Sequence, residues 1–316
     1  MAVSLEGERY YSLNHYLKQT YGEKLYKISL NAGMTCPNRD GTLGNRGCIF
    51  CSAGGSGDFA ADRRLSITEQ ITKGKAQSAG KYSGTAYIAY FQAYTNTYAP
   101  LPRLREVFFE AIRHPDIRIL DIATRPDCLG PDVLELLGEL NRLKPVWVEL
   151  GLQTIHPKTA SLIRRGYELS VFEQAVCNLR RLGILVIVHT ILGLPGETIE
   201  HQLATVRYLN TLDIQGVKFQ LLHILKHTDL AYYYRQHPFH LPDIEEYFGM
   251  LGKCLCALRR DIVVHRLTGD GPKSLLIAPL WTGNKRQVLN RLRAYLKEQD
   301  IWQGKEGYDG QTSQII

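Results

Sequence analysis

The sequence predicts an α/β protein, namely a partial (β/α)6 barrel with a helical C-terminal extension. Short apolar segments alternate with amphipathic ones about every 30 residues from Lys24 onward, which is the rhythm of βαβ units. One of them, residues 184–192, is apolar almost throughout, as expected for a parallel strand covered on both faces. Because six such repeats fall short of the eight that close a full barrel, we expect a partial barrel.

The predicted strands are short and rich in β-branched or aromatic residues. They span residues 26–30, 85–91, 117–123, 146–150, 184–192 and 216–222. Helices are predicted between them at residues 68–78, 102–113, 131–143, 171–182 and 199–212. Pro102 falls in the first turn of the second helix, and Gly183 follows the fourth as a C-cap. From about residue 226 the pattern predicts helices around one more strand, residues 262–267, and then a frayed polar tail over residues 303–316.

This pattern divides the chain into an N-terminal segment (1–23), a (β/α)6 core (24–225) and a C-terminal extension (226–316) that we expect to contact substrate. The 316 residues are 44% hydrophobic, enough for a large core. The chain has no long uncharged apolar stretch and no apolar signal core at its N-terminus, so we expect no membrane span and a cytoplasmic location. The seven cysteines are therefore expected as reduced thiols or metal ligands. A net charge of +7 permits a polyanionic partner such as RNA without requiring one.

Three cysteines in a glycine-rich loop after the first strand give the strongest chemical signal. Cys36, Cys48 and Cys51 are spaced C-x11-C-x2-C, and the next cysteine is Cys128. Three thiolates can hold three corners of a cubic iron–sulfur cluster and leave its fourth iron open for chemistry. The alternative is a structural zinc site completed by a ligand from elsewhere, although zinc sites usually show two CxxC-like pairs and this loop has one.

Candidate ligand-binding residues lie on the predicted strands or just beyond their carboxyl ends, which is the side where parallel α/β folds bind ligands. They are Gln92 and Tyr94, Arg125 and Asp127, Glu149 and Gln153, His189 and Gly193, and Lys218. Arg125 can clamp a carboxylate with two hydrogen bonds, or can form a structural pair with Asp127. Glu149 can accept hydrogen bonds from hydroxyl groups or belong to a buried polar ladder, and Lys218 can meet a substrate carboxylate or Glu149. His189 is equally compatible with a satisfied core histidine.

Taken together, these residues resemble the radical S-adenosylmethionine (SAM) superfamily. The loop, with Cys36-Pro37-Asn38 at its start and Gly47-Cys48-Ile49-Phe50-Cys51 at its end, is similar to that of the elongator-catalytic-subunit-like branch rather than to the commoner C-x3-C-x2-C loop. More narrowly, the chain resembles the YtqA/YhcC-like (MnmL-like) family over nearly its whole length. The other segments that carry this resemblance are residues 9–14, 56–59, 94–98, 123–127, 149–154 and 192–197.

The resemblance implies a TIM-like radical SAM barrel with a [4Fe–4S] cluster on Cys36, Cys48 and Cys51. It further implies that SAM binds the open iron and is cleaved to a 5′-deoxyadenosyl radical, and that a one-electron reductant such as flavodoxin or ferredoxin feeds the cluster; no stable protein partner is evident. The residues implied to contact SAM are Phe50, Gln92, Tyr94, Arg125, Glu149, Gln153, His189 and Gly193. The Gly-Gly-Glu segment that often holds the SAM amine is absent, and residues 92–97 stand in its place. No general acid or base is indicated.

The resemblance also implies a substrate, the wobble uridine of tRNA, whose carboxymethylaminomethyl side chain is converted to an aminomethyl one. Candidate substrate-binding residues are Asp127, Lys218, Arg266, Lys273 and Lys285, the last three as a basic rim for phosphates. The tyrosines at positions 232–234 can stack on an extruded base, but a helix with one tyrosine packed and two exposed is the simpler interpretation. Two alternatives stay open: a radical SAM enzyme acting on a small molecule or a protein side chain, and a non-catalytic, zinc-stabilised RNA-binding module.

Overall fold

A computed structural model of the chain describes residues 7–80, 82–269 and 271–307. In these ranges the strands are β1 (Tyr26–Leu30), β2 (Tyr87–Phe91), β3 (Ile117–Thr124), β4 (Val146–Gln153), β5 (Leu185–Leu192), β6 (Gly216–Leu221), β7 (Ile224–Leu225), β8 (Val263–Arg266) and β9 (Leu276–Ala278). The α-helices are α1 (Leu13–Tyr21), α2 (Ile67–Ser78), α3 (Leu101–Arg113), α4 (Pro131–Asn141), α5 (Pro157–Leu162), α6 (Leu169–Arg181), α7 (Ile199–Asn210), α8 (Asp229–Gln236), α9 (Ile244–Ala257) and α10 (Lys285–Glu298). Within the same ranges, no helix is long and apolar enough to cross a membrane.

The described residues form two compact units. The first comprises residues 17–80, 82–151 and 166–188; its strands β1, β2, β3 and β4 lie side by side in that order, all parallel, followed by the start of β5. The second comprises residues 7–16, 152–165, 189–269 and 271–307, and contains the end of β5, then β6 and β8, of which the last two are parallel. Parallel strands that follow one another in chain order need helical crossovers between them, so the predicted α/β class is confirmed.

The packing of α3 shows how hydrophobic spacing sets these elements. All five residues of β2 are buried, as its position between β1 and β3 requires. α3 buries a stripe at the spacing of one helix face: Leu104, Val107, Phe108, Ala111 and Ile112. Phe91 of β2 meets Phe108 edge to face, with ring centroids 5.1 Å apart. Because each such side chain contributes roughly 1.5–3 kcal/mol when buried, this contact fixes the helix more firmly than helix propensity does.

Helix α2 holds the chain that leaves β1. Ser66 and Glu69 form a capping box at its first turn. One turn later, the buried Gln70 side chain accepts a hydrogen bond from the Asn31 N–H at 2.8 Å and donates to the Asn31 carbonyl at 2.9 Å. Asn31 directly follows β1. The chain is therefore fixed in direction just before the cysteine loop begins.

The predicted elements are confirmed with ends that agree within three residues, but several features differ from expectation. Helices α1 and α5 were not predicted. β4 continues past Leu150 to Gln153, whose φ of +63° ends it. β7 and β9 form a separate antiparallel pair that is too short for a periodic pattern to reveal. The prediction of a frayed tail over residues 303–316 is wrong at its start, because Gln303 is fully buried. Residues 308–316 of that tail lie outside the described residues.

Gln303 joins three backbone segments of the second unit. Its side-chain oxygen accepts from the Tyr11 N–H at 2.8 Å, and its amide nitrogen donates to the carbonyls of Arg259 at 2.6 Å and Ile262 at 2.8 Å. Replacing Gln303 with Leu leaves these groups buried without that partner, so we expect the free energy of unfolding to fall by about 2–4 kcal/mol in urea titrations. The matched change Gln299→Leu, at an exposed position after α10, should stay within about 0.5 kcal/mol of wild type. Equal stability of the two variants would contradict this role.

Candidate functional site

Backbone hydrogen bonds fold the cysteine loop, residues 36–51, back on itself. The Gly47 N–H donates to the Asn38 carbonyl at 2.7 Å, which closes the long excursion between the first and second cysteines. The Cys51 N–H then donates to the Cys48 carbonyl at 3.1 Å and makes a tight turn across the C-x2-C pair. The loop thus returns its second and third cysteines to the segment that carries the first.

Two consecutive side chains reach from the start of this loop to its end. The Asn38 amide nitrogen donates to the Cys48 sulfur at 3.5 Å, and Asn38 is only 6% exposed. The Arg39 guanidinium donates to the carbonyls of Cys51 at 3.2 Å and Ser52 at 2.6 Å. The sequence reasoning missed both residues as members of the site. Their position, directly after Cys36-Pro37, was the available signal.

The segment after the loop, residues 52–58, packs against the chain that leaves β2. A Cβ atom at Gly55 would lie 2.3 Å from the Tyr94 ring, so glycine is required there. The Tyr94 N–H donates to the Gly55 carbonyl at 2.9 Å, and the Gln92 amide nitrogen donates to the Ser56 carbonyl at 2.8 Å. The Arg39 guanidinium lies over the Tyr94 ring, 5.6 Å from its centre. Gln92 and Tyr94 therefore support the cysteine loop, while their contact with a ligand stays a prediction.

Arg125 carries a positive charge toward the cysteines from the end of β3. Its guanidinium donates to the two carboxylate oxygens of Asp127 at 2.9 and 2.7 Å and lies 5.0 Å from the centre of the Tyr167 ring. Burial lowers the pKa of Arg125, but Asp127, and then Cys36 and Cys48, raise that pKa by more. The structural pair with Asp127 is thus present, and the charge acts on two of the three cysteine sulfurs. Binding of a ligand carboxylate by Arg125 stays a prediction.

The sulfurs of Cys48 and Cys51 share a hydrogen bond. This bond lowers the pKa of the Cys51 thiol to about 6, against the effect of burial and with help from Ser56 and Arg39. The same bond, and then burial, raise the pKa of Cys48. The interaction with Cys48 therefore favours the thiolate form of Cys51, which is the form that binds metals.

The donor set fits a [4Fe–4S] cluster with one open iron. Three half-buried thiols stand on one loop beside two arginine cations, and the half-buried Phe50 directly precedes the last thiol. A cluster takes one thiolate on each iron, so its ligands need not converge on a single ion. Across residues 7–80, 82–269 and 271–307, no three His, Cys, Asp or Glu side chains are placed to hold one metal ion.

A cavity of about 580 Å³ borders the outer part of the loop and was not foreseen from the sequence. Its lining includes Thr42 and Leu43 of the loop, Tyr98 beyond β2, and Cys128 beyond β3. Burial, and then Asp127, raise the pKa of Cys128 to about 12. Cys128 is therefore a neutral thiol beside the cysteine loop, not a reactive thiolate.

Glu149 belongs to a buried charge cluster of the first unit. One of its oxygens accepts from the Lys27 ammonium at 2.8 Å and the other from the Tyr90 hydroxyl at 2.8 Å, and Lys27 also pairs with Asp121. The side chains of Asp121 and Glu149 are 0% exposed. Burial lowers the pKa of Lys27, but the two carboxylates raise it by more. The buried polar ladder is thus formed with Lys27, which the sequence reasoning missed, while a ligand contact by Glu149 stays a prediction.

The remaining predicted ligand contacts lie in the second unit. Gln153 ends β4 and His189 lies on β5, and both are half-buried. Gly193, directly after β5, has a φ of +80°, a conformation that glycine adopts without cost. Lys218 on β6 is 2% exposed. Their contacts with a ligand stay predictions.

The predicted basic rim differs in exposure among its members. Arg266 on β8 is half-buried, and its guanidinium donates to the Gln220 side chain at 3.5 Å. Lys273, in the loop before β9, and Lys285, at the start of α10, are exposed. The two lysines are therefore exposed to solvent, while the Arg266 guanidinium is hydrogen-bonded to Gln220.

The three tyrosines of α8 are arranged differently from the simpler interpretation of the sequence. Tyr232 is 57% exposed. Tyr233 and Tyr234 are half-buried and pack on Phe239, with ring centroids 6.3 and 5.1 Å from it. One tyrosine is thus exposed and two are packed, because the chain after α8 folds Phe239 back against the helix.

Replacing Lys27 with Met leaves Asp121 and Glu149 buried without their cation. We expect the free energy of unfolding to fall by about 3–5 kcal/mol at pH 7. The uncompensated carboxyl groups should then have raised pKa values in the folded state, so the variant gains stability as pH falls and loses it as pH rises. Urea titrations at pH 5 and pH 8 measure this dependence.

The matched change Lys24→Met, at an exposed position just before β1, should cost no more than about 0.5 kcal/mol at either pH. A Lys27→Met protein that loses less than about 1 kcal/mol at pH 7 would show that the buried carboxylates do not depend on this ammonium.

Comparison with known proteins assigns the chain to a family. A family model described as the Radical SAM superfamily matches residues 41–209, and one described as the Radical_SAM C-terminal domain matches residues 214–298. The protein YtqA of Bacillus subtilis (strain 168) is 42% identical over 298 residues, which cover 94% of this chain and 92% of YtqA.

Two further proteins are similar to this chain, one in its fold and the other in the sequence of a short part. The solved structure of the archaeal Methanocaldococcus infernus Elp3 superposes with a TM-score of 0.67 at 14% identity, covering 88% of this chain and 64% of the Elp3 chain. A tRNA uridine(34) acetyltransferase of Dehalococcoides mccartyi (strain CBDB1) is 35% identical over 88 residues, 28% of this chain and 18% of that protein. The Elp3 likeness agrees with the predicted radical SAM fold class. With more than half of its length matched by the family model, and with YtqA as a near full-length relative, the chain belongs to the Radical SAM superfamily.

Proposed function

We propose that this chain is a radical SAM enzyme in which Cys36, Cys48 and Cys51 bind three irons of a [4Fe–4S] cluster. The observation that supports this most is the folded loop itself, which presents three thiols and leaves a fourth iron without a protein ligand from that loop. When bound, the cluster supplies the electron that cleaves SAM at the open iron and releases a 5′-deoxyadenosyl radical. The electron source is a one-electron reductant such as flavodoxin or ferredoxin, in the cytoplasm.

Side chains of this protein hold the cysteine loop in position and offset the negative charge of its thiolates. Arg39 fastens the end of the loop, and Arg125 keeps a positive charge beside two of the sulfurs, which offsets the repulsion among three thiolates. The residues that we propose to contact SAM are Phe50, Gln92, Tyr94, Arg125, Glu149, Gln153, His189 and Gly193.

Replacing any one of Cys36, Cys48 and Cys51 with Ala removes an iron ligand. After anaerobic reconstitution, we expect about four iron and four sulfide per wild-type chain and less than about one of each in the variants. We expect 5′-deoxyadenosine from SAM and dithionite with the wild-type protein and not with the variants. Iron and sulfide analysis and chromatography of the nucleosides measure both.

The control is Cys177→Ala, at an exposed position on α6, which should keep full iron, sulfide and 5′-deoxyadenosine. Zinc without sulfide in the wild-type protein would instead support the zinc-stabilised RNA-binding module. A Cys48→Ala protein that assembles the cluster and still cleaves SAM would refute the assignment of the three ligands.

We further propose that the substrate is the wobble uridine of tRNA. In that proposal, the carboxymethylaminomethyl side chain of the base would be converted to an aminomethyl one. Support comes from the net charge of +7, the exposed Lys273 and Lys285, and the partial likeness to a protein named as a tRNA uridine(34) acetyltransferase. Proposed substrate contacts are Asp127, Lys218, Arg266, Lys273 and Lys285.

Deleting the gene should change the wobble nucleosides of cellular tRNA. We expect the carboxymethylaminomethyl form to accumulate and the aminomethyl form to disappear in nucleoside mass spectrometry. Expression of the wild-type chain or of Cys177→Ala should restore the profile, and expression of Cys48→Ala should not, because only the last lacks a proposed cluster ligand.

An unchanged profile in the deletion strain would remove tRNA as the substrate while leaving the cofactor assignment in place. The substrate would then be a small molecule or a protein side chain. A tRNA affinity that does not vary with salt would point the same way, because contacts to phosphates release counterions.

A further inference from the structure

The Asn38 side chain points a hydrogen-bond donor at one cysteine sulfur of the candidate site. Its amide nitrogen lies 3.5 Å from the Cys48 sulfur. The Asn38 residue as a whole is only 6% exposed to solvent. The backbone carbonyl of Asn38 also accepts a hydrogen bond from the Gly47 N–H at 2.7 Å. Asn38 therefore fixes the backbone just before Cys48 and also contacts the sulfur of Cys48 itself.

The surroundings of Asn38 favour this orientation of its amide. A Cβ atom at Gly166 would lie 2.9 Å from the Asn38 side-chain oxygen and 3.3 Å from a terminal nitrogen of Arg125. The amide oxygen therefore lies on the side of a guanidinium cation, and the amide nitrogen lies on the side of a sulfur. A metal-bound thiolate accepts hydrogen bonds and donates none, so only the nitrogen can serve it.

Hydrogen bonds to the sulfur ligands are among the factors that set the reduction potential of an iron–sulfur cluster. One-electron reduction adds a negative charge that spreads onto these sulfurs. A buried N–H donor stabilises that added charge more strongly than a solvent-exposed one, because the local dielectric constant is low.

We propose that Asn38 is a positioning residue that raises the reduction potential of the cluster through its hydrogen bond to Cys48. This inference rests on the proposed function, in which Cys48 binds one of the irons. The electron comes from the one-electron reductant, no proton is transferred, and the Asn38 amide stays neutral. Removing the donor should therefore make the cluster harder to reduce without removing an iron ligand.

The test is an EPR-monitored redox titration of the reconstituted protein without SAM. In Asn38→Leu, which keeps the size of the side chain and loses the donor, we expect the ratio of reduced to oxidised cluster at a fixed potential to fall about tenfold, equivalent to about 59 mV for one electron. Asn38→Asp should shift further in the same direction because it places a negative charge near the sulfur. Asn38→His, which keeps an N–H donor, should return toward wild type.

Asn45→Leu, at an exposed position of the same loop, is the matched control and should titrate as wild type does. An Asn38→Leu protein with full iron and sulfide content and an unchanged potential would overturn the inference, and the proposed function would stand. A wild-type protein that binds no cluster would overturn both.

A second measurement keeps Asn38 unchanged, in case Asn38→Leu fails to assemble the cluster. Wild-type protein labelled with ¹⁵N in asparagine side chains is reduced and examined by pulsed EPR. We expect a hyperfine coupling from one amide nitrogen that persists in the Asn45→Leu control. The absence of such a coupling in fully loaded wild-type protein would overturn the inference.

Discussion

Under the proposed function, cluster binding brings three thiolates together on one short loop, and the repulsion among these three like charges is the constraint on which the site depends. Two thiolates 4 Å apart repel by roughly 4 kcal/mol at the effective dielectric constant of a protein surface. This chain meets the repulsion with the cations of Arg39 and Arg125 and with the donor of Asn38, all placed by contacts that the structure describes. The loop backbone is fastened by the same residues, so its shape and its electrostatics are set together.

The support of this loop extends into the sheet through close backbone packing. The Tyr94 ring packs so closely against Gly55 that no residue with a side chain would fit there. The Arg39 guanidinium lies over the face of the same ring. Because Tyr94 follows β2 by only three residues, the core around β2 and α3 fixes the direction from which the loop is held. Core packing and site geometry are therefore linked through a single aromatic side chain.

The elements could be predicted from the sequence because they are written in local patterns, and the cysteine spacing is a local pattern of the same kind. Strand and helix periodicity located β1 to β6 and β8, and spacing alone singled out Cys36, Cys48 and Cys51. The contacts that buried polar side chains make with distant parts of the chain could not be predicted in the same way. Lys27 looks like an ordinary polar position of a strand, and only the side-by-side order β1, β2, β3, β4 brings its side chain within reach of Asp121 and Glu149. Gln303 sits in a polar, glycine-containing stretch, and its burial follows from a contact with a segment nearly 300 residues earlier.

The Gly47 N–H bond to Asn38, and the reach of Arg39 to the far end of the loop, have a consequence for how the holoprotein is made. These bonds belong to the polypeptide itself. Small zinc domains differ, because in them metal capture and folding are one event. Under the proposed function, the chain's own hydrogen bonds would therefore help to shape the loop that receives the cluster, and maturation would not depend on the metal alone to organise that loop.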